Sequence, residues 1–97
     1  MPTYYHGTDR VIDVLLKGSY VTRHYKDAEK FGYRRAVSNG SSAVLIYTAD
    51  VTPEQTAPDP KRDRAFVVTS DRPVRLLYEI PTFAVANKLR RFRRSAP

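Results

Sequence analysis

The sequence predicts a small α+β domain built on an antiparallel sheet. The chain has 97 residues, which suits a single domain, and its hydrophobic content of 41% is enough to form a core. Segments typical of strands outnumber segments typical of helices. The two kinds do not alternate as they would in a doubly wound parallel fold, and this order favours the α+β class.

The first part of the chain predicts two short strands and a helix. Residues 3–8 are rich in strand-forming side chains and indicate a first strand, and residues 19–22 indicate a second. Residues 9–17 between them fit either a short helical turn or a connecting strand. Residues 26–36 have helical periodicity, and Asp27 is placed to cap the start of this helix. One face of the helix carries Ala28, Phe31, Gly32 and Arg35.

The second part of the chain predicts three more strands. Small polar residues at 38–42 indicate a loop, and the continuous apolar run at 43–48 is typical of a strand buried on both faces. Residues 52–64 hold three prolines and predict a long loop. Two further strands are expected at 65–69 and 74–80, joined by a turn.

A basic C-terminal helix is expected to begin at Pro81 and Thr82. Its apolar face carries Val85, Ala86, Leu89 and Phe92. The chain has a net charge of +7, yet residues 1–87 hold 12 basic and 10 acidic residues and carry only +2. The other positive charges are Lys88, Arg90, Arg91, Arg93 and Arg94. These residues either complement the helix dipole or form a surface at 88–94 for nucleic acid or an acidic protein.

Composition and motif content narrow the kinds of site that the chain can hold. It has no cysteine, which excludes a disulfide, a thiolate metal site and a cysteine nucleophile. His6 and His24 have no carboxylate at ligand spacing, so no metal site is expected. The longest apolar run, residues 43–47, is too short for a membrane span or a signal-peptide core, and we expect a cytoplasmic protein.

Five short motifs follow one another in an order that has a known counterpart. They are Tyr5-His6-Gly7-Thr8, Tyr20-Val21-Thr22, Asp27-Ala28 with Phe31-Gly32, Pro58-Asp59-Pro60, and Arg72-Pro73 before Tyr78-Glu79. Over about residues 4–80 this series resembles the rifamycin ADP-ribosyltransferases, a family among the NAD-dependent mono-ADP-ribosyltransferases and poly-ADP-ribose polymerases. That family has Trp in place of Phe31, Asp-Asp-Pro in place of Pro-Asp-Pro, and a longer segment before the second strand.

The resemblance implies both a fold and an activity. The fold would be two small, mostly antiparallel sheets with one or two short helices over residues 1–81, followed by a basic helix or tail at 82–97. The activity would be that of a glycosyltransferase, which moves ADP-ribose from NAD to an acceptor and releases nicotinamide without a metal. In that family the acceptor is a rifamycin antibiotic and the outcome is antibiotic resistance. A macromolecular acceptor is the alternative for this chain.

The resemblance also assigns five residues to the NAD site. His6 would hydrogen-bond the nicotinamide ribose, and Gly7 would offer backbone groups to the carboxamide. Thr8 belongs to the same motif and would contact the cofactor beside them. Tyr20 would stack on the nicotinamide ring, with Phe31 as a second wall of its pocket.

Asp59 is the residue that the resemblance implies as the catalytic acid, acting with His6 and Tyr20. A carboxylate aimed at the ribose stabilises the positive charge that develops when the bond to nicotinamide breaks. Glu79 and Glu54 are alternatives for this acid. Two other functions remain open: a non-catalytic domain that binds NAD or a partner, and a small basic module that binds nucleic acid.

Overall fold

The computed structural model describes residues 2–95, except for the side chains of residue 89 and of residues 91–95. Its strands are β1 Tyr4–Thr8, β2 Val14–Leu15, β3 Tyr20–Thr22, β4 Leu45–Ala49, β5 Thr56–Pro58, β6 Ala65–Val68 and β7 Arg72–Glu79. The helices are α1 Tyr25–Asn39 and α2 Thr82–Ser95, with a 3₁₀ turn at Pro53–Gln55. The α+β class is confirmed. Within these residues, neither helix has the length and apolar character that a membrane span requires.

The seven strands form one antiparallel sheet in the order β2-β7-β4-β1-β3-β6-β5. This corrects the expectation of two separate small sheets. β1 pairs with β4 along its whole length, from Tyr4 opposite Ala49 onward. It pairs with β3 only where Tyr5 faces Thr22. That single position joins the two halves into one sheet.

Helix α1 packs directly on the backbone of β1 because glycines meet where the two elements cross. A Cβ atom on Gly7 would overlap the carbonyl oxygen of Ala28 and would lie 3.1 Å from the Gly32 nitrogen. Helix α1 can therefore approach β1 this closely only because residue 7 has no side chain. The helix ends at Gly40, whose φ of 66° is in the left-handed region that favours glycine.

Two clusters of buried side chains form the core. The larger contains Ala28, Tyr33, Ala36, Val44, Ile46, Ile80 and Val85. The smaller contains Tyr4, Leu15, Val21, Val51 and Val68. Val85 brings α2 into the larger cluster, so the described part of the C-terminal helix packs on the rest of the chain. The basic surface expected at 88–94 depends on side chains that lie mostly outside the described residues.

Helix α1 begins one residue earlier than expected, and this changes the role of Asp27. His24 is the N-cap residue and makes no side-chain cap. Asp27 instead lies in the first turn, where its carboxylate accepts a hydrogen bond from Arg64 Nη2 at 3.1 Å. The residues that α1 buries are Ala28, Gly32, Tyr33 and Ala36. The other two residues of the predicted face, Phe31 and Arg35, are not among them and line the cleft described below.

The loop expected at 52–64 contains regular structure in its first half. The Thr52 N–H donates to Gln55 Oε1 at 2.9 Å, which starts the 3₁₀ turn. β5 then pairs with β6 at the edge of the sheet, with Ala57 opposite Val67. Pro58 is accommodated because an edge strand does not need every N–H. Likewise, β7 begins within the expected turn before residue 74.

Candidate functional site

β1 and β3 separate beyond their single paired position, and two side chains bridge the gap. Continued antiparallel pairing would place Gly7 opposite Tyr20. Instead, His6 Nδ1 donates a hydrogen bond to the Tyr20 carbonyl oxygen at 2.8 Å. Because a carbonyl oxygen only accepts, Nδ1 carries the ring proton and Nε2 is left as an acceptor.

The Tyr20 hydroxyl forms the second bridge. It accepts a hydrogen bond from the Gly7 N–H at 2.9 Å and donates one to the Gly7 carbonyl at 2.6 Å. The resemblance implied that these two backbone groups face a carboxamide; in this structure the Tyr20 hydroxyl holds both of them. Burial raises the pKa of the Tyr20 phenol above its ordinary value of 10.0. The hydroxyl therefore keeps its proton at neutral pH and remains a donor.

Aromatic rings continue from this bridge onto helix α1. The ring centroids of His6 and Tyr20 are 4.5 Å apart. Those of Tyr20 and Phe31 are 4.9 Å apart, with the planes nearly perpendicular at 76°. Edge-to-face contact of this kind is favourable between aromatic rings. Three residues from separate segments thus form one continuous aromatic surface.

A cleft of about 530 Å³ opens beside these rings. This volume lies in the range typical of small-molecule sites, roughly 300–1,000 Å³. Five of the residues expected at the NAD site line it: His6, Gly7, Thr8, Tyr20 and Phe31. The remaining walls come from the segment between β1 and β3, from α1, and from Arg62 in the turn between β5 and β6. The structure therefore brings together every expected site residue except the acid.

Four arginines that were not predicted as site residues line the same cleft. They are Arg10, Arg34, Arg35 and Arg62. Arg62 places its guanidinium carbon 5.0 Å from the centroid of the Tyr20 ring. Arg34 and Arg35 follow Phe31 by three and four residues on α1, a spacing that puts them on its face and was a usable signal. Among the described residues that line the cleft, none carries a carboxylate.

Asp59 lies outside the cleft, in the turn between β5 and β6. Its carboxylate accepts hydrogen bonds from the Lys61 N–H and from Arg62 Nη1, both at 2.8 Å. Burial alone would raise the pKa of Asp59, but these two donors outweigh it and hold the pKa below its usual range. Asp59 reaches the cleft only through Arg62. The alternatives Glu54 and Glu79 do not line the cleft either.

His6 is held in its neutral form by its surroundings. Burial is the main cause that lowers the pKa of His6 below 6.5, and the nearby charges of Arg35 and Arg62 act in the same direction. The hydrogen bond to the Tyr20 carbonyl opposes this shift without cancelling it. The His6 ring therefore presents an unprotonated Nε2 at neutral pH.

This shift predicts a pH dependence of stability. The unfolded chain binds a proton at His6 near pH 6.5, whereas the folded chain binds it only at lower pH. Stability should therefore rise with pH across this window and fall as pH drops below 6.5. We expect a lower free energy of unfolding in urea at about pH 5.5 than at about pH 7.5. The difference should shrink in His6→Gln and persist in His24→Gln, and equal differences in the two variants would contradict the assignment.

No protein family, curated protein or solved structure matched this chain in sequence or structure comparison. In the described part of the chain, no three residues among His, Asp and Glu are grouped to hold a metal ion. The cleft instead combines an aromatic surface, a neutral imidazole and four guanidinium groups, a combination suited to an organic ligand that carries negative charge.

Proposed function

We propose that this chain is an NAD-dependent ADP-ribosyltransferase of the cytoplasm. It would cleave the bond between nicotinamide and ribose and transfer ADP-ribose to an acceptor. The observation that carries the proposal is the meeting of His6, Tyr20 and Phe31 in one arginine-lined cleft. The three residues come from β1, β3 and α1, and the ligand that such a cleft fits has an aromatic ring at one end and phosphates further along.

NAD meets both requirements. Its nicotinamide ring would lie against Tyr20 and Phe31, and its carboxamide matches the N–H and C=O of Gly7. To bind there, the carboxamide would displace the Tyr20 hydroxyl from the N–H and C=O of Gly7, so the Tyr20 ring would have to turn. The acceptor nitrogen Nε2 of His6 would receive a hydrogen bond from a ribose hydroxyl. Arg10 and Arg35 would face the pyrophosphate, because guanidinium groups bind phosphate oxygens in paired, charge-assisted hydrogen bonds.

A second candidate function is favoured by the position of Asp59. A carboxylate directed at the ribose normally stabilises the cation that forms on bond breaking. Here Arg62 and the Lys61 N–H hold the Asp59 carboxylate outside the cleft. A domain that binds NAD or ADP-ribose without cleaving it would tolerate this arrangement. The two candidates differ in one measurable product, free nicotinamide.

The test follows nicotinamide release from NAD by chromatography, with and without rifampicin as acceptor. His6→Ala should reduce release, whereas His24→Ala removes an exposed histidine outside the cleft and serves as the matched control. Release that depends on His6 supports the transferase, and release that rises with rifampicin supports the rifamycin acceptor. A melting temperature raised by NAD without release supports the non-catalytic binder. If NAD neither releases nicotinamide nor raises the melting temperature under any of these conditions, the proposal is overturned.

A further inference from the structure

The cleft has more positive charge than one dinucleotide pyrophosphate needs. Among the described side chains, Arg10, Arg34 and Arg35 make no ion pair, and Arg62 is paired only with Asp59. Since none of the described residues that line the cleft carries a carboxylate, these residues do not neutralise the charge. If two arginines face the pyrophosphate as proposed above, two remain for another anion.

The two remaining arginines lie against the same aromatic ring. The guanidinium carbons of Arg34 and Arg62 are each 5.9 Å from the centroid of Phe31. Contacts of this kind hold a guanidinium near a ring while leaving N–H groups available to an anion. In Arg62 these are the groups other than Nη1, which donates to Asp59. An anion bound at Phe31 is therefore within reach of both, at the end of the cleft where Tyr20 and His6 also lie.

The chemistry of the transfer favours an acceptor that arrives without a proton to lose. A hydroxyl acceptor must give its proton to a base, and general bases in such reactions are usually carboxylates. The described residues of this cleft offer no carboxylate, and burial lowers the pKa of His6 and so makes it a weak base. A phosphate monoester carries two negative charges near neutral pH and needs no base. Its charge would also stabilise the cationic ribose directly.

We propose that the acceptor is a phosphate monoester, bound by Arg34 and Arg62 beside Phe31; this inference rests on the proposed transferase function. A phosphate oxygen attacks C1′ of the NAD ribose and forms the new O–C1′ bond. The bond from C1′ to the nicotinamide nitrogen breaks, and nicotinamide leaves as a neutral molecule with the electron pair. The phosphate loses one negative charge, the pyridinium loses its positive charge, and no proton moves.

Two sources can present a phosphate monoester, and three acceptors distinguish them. The chain is incubated with NAD and a 5′-phosphorylated oligonucleotide, the same oligonucleotide with a 5′-hydroxyl, or the matching nucleoside 5′-monophosphate. Mass spectrometry then detects acceptor that has gained one ADP-ribose. We expect product from the phosphorylated oligonucleotide and none from the hydroxyl form. Product from the monophosphate as well identifies the phosphate alone as the recognised group, and its absence identifies a nucleic-acid end.

The Arg34→Gln variant tests the site within the cleft. Loss of a charge-assisted contact should raise the KM for the phosphorylated acceptor by about tenfold or more. Lys30→Gln removes a positive charge from the exposed side of the same helix and should change that KM by less than about twofold. Equal effects of the two substitutions would mean that general charge, rather than the pair at Phe31, attracts the acceptor, and would overturn the assignment.

The outcomes separate this inference from the function on which it rests. Nicotinamide release with no phosphate-dependent product overturns the phosphate acceptor and leaves the transferase standing. Equal modification of the phosphorylated and hydroxyl oligonucleotides does the same. Failure of NAD to raise the melting temperature, together with no nicotinamide release with any of the three acceptors, overturns both.

Discussion

Replacing Gly7 with alanine is expected to lower the free energy of unfolding by about 3 kcal/mol or more, the upper end of what overpacking costs. The added Cβ would overlap the carbonyl oxygen of Ala28 and lie 2.8 Å from its carbonyl carbon. Both obstacles are backbone atoms, so no side-chain rotation relieves the clash. Relief requires α1 to move away from β1, which would loosen the larger core cluster.

Urea denaturation measures this effect, and Gly18→Ala is its matched control. A Cβ on Gly18 would meet no atom within 4 Å beyond its own chain neighbours, but the φ of this residue is 89°. Its substitution should therefore cost only the backbone strain, about 1 kcal/mol. Similar losses in the two variants would show that α1 does not approach β1 as closely as described.

Replacing Tyr20 with phenylalanine is expected to lower the free energy of unfolding by about 1–3 kcal/mol. The substitution keeps the ring and removes the hydroxyl that satisfies both backbone groups of Gly7. A buried donor and a buried acceptor are then left without partners. Tyr5→Phe removes a hydroxyl from the neighbouring strand that makes no hydrogen bond to the described residues. It should change the free energy of unfolding by less than about 0.5 kcal/mol.

Binding of free nicotinamide to the Tyr20→Phe variant tests whether the carboxamide contacts Gly7, as proposed. If the carboxamide binds the Gly7 pair, nicotinamide should raise the melting temperature of Tyr20→Phe more than that of the wild-type chain, because the variant has no hydroxyl to displace. Thermal denaturation with nicotinamide, and with benzoate as a ring without the carboxamide, measures this. An equal rise in both proteins, or an equal rise with benzoate, would place the carboxamide elsewhere.

Most of the strands and helices could be predicted because residues close together in the sequence determine them. Strand-forming residues identify β1 and β3, and helical periodicity identifies α1. The length of α1 was underestimated because Gly40, which ends the helix, stands beyond a serine and an asparagine that also suit a loop. β5 was missed because its short segment ends in proline, and only pairing with β6 makes it a strand.

The candidate site was predictable where a motif is contiguous, and unpredictable where the geometry of a turn or a long-range contact decides which way a side chain faces. The His-Gly-Thr motif and Tyr20 could be chosen because the order of the motifs resembles that of a known family. The ion pair between Asp59 and Arg62 could not, because the turn between β5 and β6 decides whether the carboxylate faces the cleft or the guanidinium. The same turn brings Arg62 onto Tyr20, a contact between positions far apart in the chain.

The bridge between β1 and β3 limits how this molecule can evolve. His6 and Tyr20 supply the cross-strand hydrogen bonds that the backbone lacks beyond Tyr5 and Thr22. A mutation at either residue that changes which ligand the proposed site prefers therefore also weakens the junction between β1 and β3. Since natural proteins have little stability to spare, such mutations need compensation elsewhere before they are tolerated. New specificities of the proposed site should therefore arise first in the arginines and in the turn around Asp59, where a substitution leaves the junction between β1 and β3 intact.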